Sequence, residues 1–359
     1  MAKRFLSLIA FIVMIGLACN LPFVNGAPAT SAPVPPPGVP PVLATFPTSA
    51  VDATATASPV PILHIITPSD KAPASGPFVY DVDSSGTAPE KRAPYGDSYD
   101  IDRFERPFLQ DMTYVQNLDI VTFDLTKDDT WYYISISLVG SDPNDTHGIN
   151  YGIEVDLNRD GFGDYLIWAQ PPYTPPWSTT NVKVFSDQNH DTGGLSGEKS
   201  DAPIQGNGYE TLVFDGNSGQ GTANDPDLAW VRVNAGRYAT VQFAFKRSLI
   251  GSSFMLGVLA DAGLKDPGKF DYNDRFTEAE AGSPVKDKQY YPLKALYEVD
   301  NTCLEAFGFK ANGFEPKLCP REEPKPQKTP SACQPPPYCV APFYFWFGEP
   351  ECTCVSVPG

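Results

Sequence analysis

The stretch Asp156-Leu157-Asn158-Arg159-Asp160-Gly161-Phe162-Gly163-Asp164 places side-chain oxygens at alternate positions and then a glycine. A tight loop of this composition can curl several oxygens around one hard cation, and calcium takes about six to eight such ligands in irregular geometry. Asp156, Asn158, Asp160, the carbonyl of Phe162 and Asp164 match the first nine positions of an EF-hand loop. The match ends there: the twelfth position is Ile167, where an EF-hand carries a bidentate acid, and both flanks read as strands. The expectation is a calcium loop on a β-hairpin; the same residues also favour ordinary polar turns. A second stretch, Asp187-Gln188-Asn189-His190-Asp191, has Thr192 in place of the glycine. Asp187, Asn189 and Asp191 are either a second ligand cluster, one that could share a site with the first loop, or an Asx-rich turn.

Other chemistry is sparse. Asp81, Asp83, Asp97, Asp100, Asp102 and Glu105 crowd the same region as Arg92, Arg103 and Arg106, a mixture that reads as a salt-bridged loop network. Three histidines, His64, His147 and His190, make a multi-histidine zinc centre improbable and limit catalytic triads. The sequence contains no HExxH, GxSxG or phosphate-loop motif, so nothing in it argues for an enzyme. The proline-stiffened run Pro171-Pro172-Tyr173-Thr174-Pro175-Pro176-Trp177 offers Tyr173 and Trp177 as a stacking surface for sugar or protein, unless the rings fold back over a sheet edge.

A net charge of −17 argues against nucleic acid, which needs a basic face. The N-terminus carries Lys3 and Arg4, then LSLIAFIVMIGLA without a charge, then Cys19. That describes a signal peptide over residues 1–18, too short for a comfortable membrane span. Leu17-Ala18-Cys19 resembles a bacterial lipobox, although Gly16 stands where a branched residue is usual. Cys19 is the expected lipidation site, and the protein is expected to be exported and held at the membrane by its lipid. Residues 19–60 are rich in Pro, Ala and Thr with little to bury, and read as an extended tether.

These sites must be carried by strands. From 61 to 300 short apolar-alternating runs recur at 62–66, 119–125, 131–139, 150–157, 165–169, 181–186, 210–215, 229–234, 240–245 and 254–261. In 131–139, Tyr132, Ile134, Ile136 and Leu138 form the buried set, opposite Trp131, Tyr133, Ser135 and Ser137. The expected fold is all-β, a jelly-roll-like antiparallel sandwich. Short helical turns are expected at most around Phe276–Ala281 and Leu304–Phe307. Residues 301–359 form a tail with Cys303, Cys319, Cys333, Cys339, Cys352 and Cys354, read as three disulfides of open connectivity in an oxidising compartment. The aromatic segment VAPFYFWFGEPE in that tail is either a packed hairpin or an adhesive knob.

The motifs GDSYDIDRFERPF, DIVTFDL followed by TWYYISISL, and VQFAFKRSLIG before FMLGVLADAG give residues 80–300 a loose resemblance to family 9 carbohydrate-binding modules and DOMON-like domains. The resemblance implies a jelly-roll-like sandwich, bound calcium and glycan binding, and assigns no sugar-contacting residue. The expected partners are a membrane through the lipid, and extracellular polysaccharide or cell-surface proteins. The competing function classes are a non-catalytic polysaccharide-binding module, a structural or adhesive envelope protein, and an unrecognised hydrolase.

Overall fold

Period-two alternation dictates strands whose apolar faces must be buried against a second layer, and the computed structural model has that architecture. It describes residues 62–71, 76, 78–94, 105–193, 206–270, 275, 276, 278–281 and 295–320, and the backbone of 344–347 and 353–356. The proposed lipidation site Cys19, the signal peptide, the tether, Asp97, Asp100, Asp102, Arg103, Cys333, Cys339 and Cys352 lie outside the described residues.

The strands are β1 (Phe78–Tyr80), β2 (Ile120–Lys127), β3 (Trp131–Leu138), β4 (Asn150–Asp156), β5 (Tyr165–Ala169), β6 (Val182–Ser186) and β7 (Thr211–Asp215). They continue with β8 (Ala229–Asn234), β9 (Thr240–Lys246), β10 (Phe254–Asp261), β11 (Val299–Asn301), β12 (Glu305–Phe307), β13 (Tyr344–Phe347) and β14 (Thr353–Ser356). One sheet runs β1-β2-β3-β9-β8, the other β11-β10-β4-β5-β6-β7 with β12 also on the β10 edge, and all these pairings are antiparallel. Two one-turn helices, α1 (Arg247–Ile250) and α2 (Glu278–Ala281), complete the described elements, together with single 3-10 turns.

The core lies between the sheets. Phe123, Tyr132, Ile134, Ile136 and Leu138 from one meet Tyr151, Ile153, Val155, Ile167, Leu256 and Val258 from the other. The set of alternating residues expected to be buried on β3 is buried. The opposite set is only half as expected, because Trp131 and Tyr133 are also buried, in a small outer cluster with Trp230 and Ala244. β4 and β10 are buried along their whole length, because a second cluster of Leu166, Trp168, Tyr209, Leu259, Phe270 and Leu296 covers the outer face of the large sheet.

Three expectations are corrected. Residues 62–66 are not a strand: the backbone N–H groups of Ile65 and Ile66 donate to one carboxylate oxygen of Asp227 at 2.8 and 2.9 Å, and His64 Nδ1 meets the other at 2.8 Å. A side chain, not a neighbouring strand, takes the hydrogen bonds this apolar run would have offered a sheet. Leu304–Phe307 is no helical turn; Glu305–Phe307 pairs with Phe254–Leu256. The sandwich also continues beyond residue 300. Cys303 and Cys319 form a disulfide and pack into the main core, so the first cysteines assigned to the tail belong to the body. Residues 344–347 and 353–356 form an antiparallel hairpin, which carries Cys354 opposite Trp346.

Ile136 lies wholly inside the core. Ile136→Ala is expected to lower the unfolding free energy by about 2–5 kcal/mol, read from urea denaturation. Replacing Cys303 and Cys319 together by Ala opens a link of sequence separation 16, with an expected loss of about 3 kcal/mol in the same assay.

Candidate functional site

The two Asp-rich loops leave the same edge of the large sheet, one after β4 and the other after β6, on either side of β5. Each begins with an aspartate that the strand delivers into the turn, and each winds the same way. In the first, Asp156 Oδ1 accepts the N–H of Arg159 at 2.5 Å and Oδ2 that of Gly161 at 3.0 Å. In the second, Asp187 Oδ1 accepts the N–H of His190 at 2.8 Å and Oδ2 that of Thr192 at 2.8 Å. The fourth residue of each loop is left-handed, Arg159 at φ 68° and His190 at φ 56°. Asn158 Nδ2 donates to Asp160 at 2.8 Å, and Asn189 Nδ2 donates to Asp191 at 2.9 Å. The second stretch is therefore a structural repeat of the first, a similarity its missing glycine had obscured.

The loops are also joined. Phe162 bridges Gly193, Gly163 N–H donates to Thr192 O at 2.7 Å, and Asp187 N–H donates to Asp164 O at 3.1 Å. His190 Nδ1 stands 3.9 Å from Asp164 Oδ1. Asp164 Oδ2 accepts Leu157 N–H at 2.6 Å, and Asp160 Oδ1 accepts Phe162 N–H at 2.9 Å. Asp191 reaches sideways instead, accepting from Asn207 and Gly208, both at 2.9 Å. Burial pushes the Asp156 carboxyl up to about 6, against the N–H bonds of Gly161 and Arg159 that hold it down. Asp164 and Asp187 are also raised by burial. The loops thus hold several half-buried acids close together. Each acid is satisfied mainly by backbone N–H groups, and among the described residues none belongs to a set of three carboxylates within 4.8 Å of one another.

Such a set does occur elsewhere. Among the described residues, Asp81, Glu105 and Asp300 each bring one carboxylate oxygen within 4.8 Å of the others. Asp81 follows β1, Glu105 precedes the Arg106–Val299 bridge, and Asp300 sits in β11. Asp300 Oδ2 accepts Ile120 N–H at 2.6 Å, tying the large sheet to the start of β2 in the small one. Asp119, next to Ile120, accepts Ser84 N–H at 2.9 Å and the Tyr114 hydroxyl at 2.5 Å. Burial, reinforced by the charges of Asp119 and Asp83, pushes Asp81 up to about 8; burial likewise pushes Asp119 up to about 7. The expected salt-bridged network falls largely outside the described residues, which lack Asp97, Asp100, Asp102 and Arg103. Arg92 pairs with Glu90 at 2.6 Å on the surface, and no ion pair to Asp81 or Glu105 occurs among the described residues. Asp81 and Glu105 were singled out as acids in the sequence, but their partners Asp300 and Asp119 were not. The available signal was an acid embedded in an apolar strand, as in Leu118-Asp119-Ile120 and Val299-Asp300.

Of the two readings of the aromatic pair, the structure has the rings folded back. Tyr173 is 4 % exposed and lies in the main core. Its hydroxyl reaches the carbonyls of Ile149 at 2.8 Å and Ala169 at 3.0 Å, so its ring offers no stacking face. Trp177 is half-buried: it donates to Ser69 O at 3.0 Å, lies 6.2 Å from the Tyr133 ring, and has the Arg232 guanidinium 4.4 Å over its own ring. The prolines hold both rings back against the body.

No family model matches the chain, and neither does any curated protein or solved structure.

Gly161 has φ 88°, where a side chain is strained. Gly161→Ala is expected to cost about 1 kcal/mol or more in urea denaturation.

Proposed function

We propose that this protein is a non-catalytic, calcium-binding β-sandwich displayed outside the cell on a lipid anchor, with extracellular polysaccharide as its ligand. The observation that carries the calcium reading is the matched winding of the two neighbouring loops. In both, the first aspartate is pinned by the N–H groups of the fourth and sixth residues. Such pinning orients the remaining oxygens of a loop ahead of any ligand, which lowers the ordering cost of binding a cation that needs many oxygens. Asp156, Asn158, Asp160, the carbonyl of Phe162 and Asp164 would supply one set of donors, and Asp187, Asn189 and Asp191 a second or a shared one. Calcium here would brace the β4–β5–β6 edge.

Export and anchoring rest on the apolar N-terminal run and Cys19. Polysaccharide rests on the resemblance to carbohydrate-binding modules. A second reading, a structural or adhesive protein that binds other proteins, is favoured by a different observation. Among the described residues β1 is the outermost strand of its sheet, and Phe78 and Tyr80 are exposed along it. Such an edge can accept a strand from a partner.

Calcium is expected to raise the melting temperature of the purified protein and chelator to reverse the rise, as followed by scanning calorimetry. Asp160→Asn should reduce the shift, and a melting temperature indifferent to both additions would retire the calcium reading. Because Asp156 is pushed up to about 6, a proton occupies the needed oxygen at lower pH. Affinity is therefore expected to hold above that value and fall by up to about tenfold per pH unit below it, measured by titration calorimetry. A glycan array, with and without chelator, separates the two ligand classes: no retained sugar would leave only the protein-binding reading.

A further inference from the structure

We propose that Asp81, Glu105 and Asp300 form a calcium site that clasps the two sheets together, separate from the Asp-rich loops and independent of whether those loops bind calcium.

The geometry is that of a ligand set. Two oxygens bound to one calcium ion at about 2.4 Å can stand no more than about 4.8 Å apart, and the three carboxylates meet that limit pairwise. A cluster of acids can be an accident of a negative surface, but this one is inside the protein. Glu105 is 1 % exposed and Asp300 is 3 % exposed. Asp81 is partly exposed as a residue, yet its Oδ2 is sealed from solvent and has no hydrogen-bond partner. Nearby, Ser84 is 1 % exposed and its hydroxyl oxygen is equally without a partner. Among the described residues, Asp81 Oδ1 accepts only the N–H of the next residue, Val82, at 3.0 Å, and Glu105 accepts only Asn301 N–H, at 3.4 Å. Buried carboxylates normally find a cation or a full set of donors, because desolvating an unpaired charge costs several kcal/mol. The loop acids have their donors. Asp81 and Glu105 do not, and Asp119 adds a further acid beside Asp81. A dication supplies what is missing.

All three donors are hard carboxylate oxygens, with neither imidazole nor thiolate among them. That selects calcium or magnesium over zinc or copper. Calcium tolerates irregular geometry, which suits donors delivered from three separate segments better than magnesium's demand for a near-ideal octahedron. The three donors come from positions 81, 105 and 300, so the ion would fasten the end of β1 and the segment before Arg106 to β11.

The test is the calcium content of the purified full chain, measured by mass spectrometry after equilibration with calcium. It is compared across wild type, Asp81→Asn, Glu105→Gln and the loop variant Asp160→Asn, with folding checked by near-ultraviolet circular dichroism. Asp81→Asn and Glu105→Gln should each lose one calcium per chain, which Asp160→Asn retains. In calcium the same two variants should melt below wild type, and chelator should remove most of that difference. Full calcium content in both variants would overturn the proposal, as would wild type melting above both by the same margin in chelator as in calcium. Loss of an ion from Asp160→Asn alone would leave the loop reading standing and overturn this one. Loss from Asp81→Asn and Glu105→Gln alone would do the reverse.

Discussion

The sandwich depends on aspartates that take over the backbone where its strands run out. A strand leaving a sheet exposes N–H groups with no ladder partner, and a buried end must satisfy them. Asp128 after β2 accepts the N–H groups of Thr130 and Trp131. Asp156 at the end of β4 and Asp187 after β6 do the same for their loops. Asp261 at the end of β10 accepts from Gly263, Leu264 and Lys265, at 2.6–2.9 Å. Asp227 serves a segment more than 160 residues away in sequence. Much of the protein's negative charge is therefore structural: acids placed where a carboxylate, with two oxygens and several lone pairs, can gather several donors at once.

That use of acids separates the two acidic regions. Where a carboxylate gathers N–H groups, burial and hydrogen bonding oppose each other. Asp261, nearly sealed, is pushed up only to about 6 although burial is the largest influence on it. Asp81 is pushed further, to about 8, because one backbone N–H is its whole compensation and its neighbours are also acids. The loops can be stable as polar turns with no ion at all, so for them a cation is an addition. For Asp81 and Glu105 the described residues provide one backbone N–H each.

The strands were legible because their alternation is local. β5, β8 and β10 have the boundaries their apolar runs suggest, and the inner face of β3 is the one its alternation picks out. The Asp-rich loops were legible for the same reason, since the bonds that wind each turn around its first aspartate close within five residues. What was not legible depends on contacts distant in sequence. Residues 62–66 alternate like a strand but are captured by Asp227. Tyr173 sits in a proline run that suggests exposure, yet Ile149 and Ala169 offer its hydroxyl two buried acceptors. The triad of Asp81, Glu105 and Asp300 spans most of the body, and no spacing rule could have assembled it. The disulfide shows both cases: its oxidised state follows from the cysteine pattern, whereas its place inside the core follows from β11 and β12 extending the sheet.

The positions of the acid sites bear on how the fold is closed. The large sheet has two edges. β7 ends one, beyond the hairpin carrying the Asp-rich loops, and the short strands β11 and β12 end the other. Strands of three residues supply few ladder bonds, so the second edge needs fastening from outside the ladder. The Cys303–Cys319 bond fixes the segment between β11 and β12, and the Asp300 bond to Ile120 N–H joins β11 to the opposite sheet. Both fasteners act on the strands latest in the sandwich, while Asp81 and Glu105 bring its earliest segments to the same place. The fold thus draws β1 and β11 to a point where three carboxylates converge. An ion there would link chain segments that no continuous β-ladder joins.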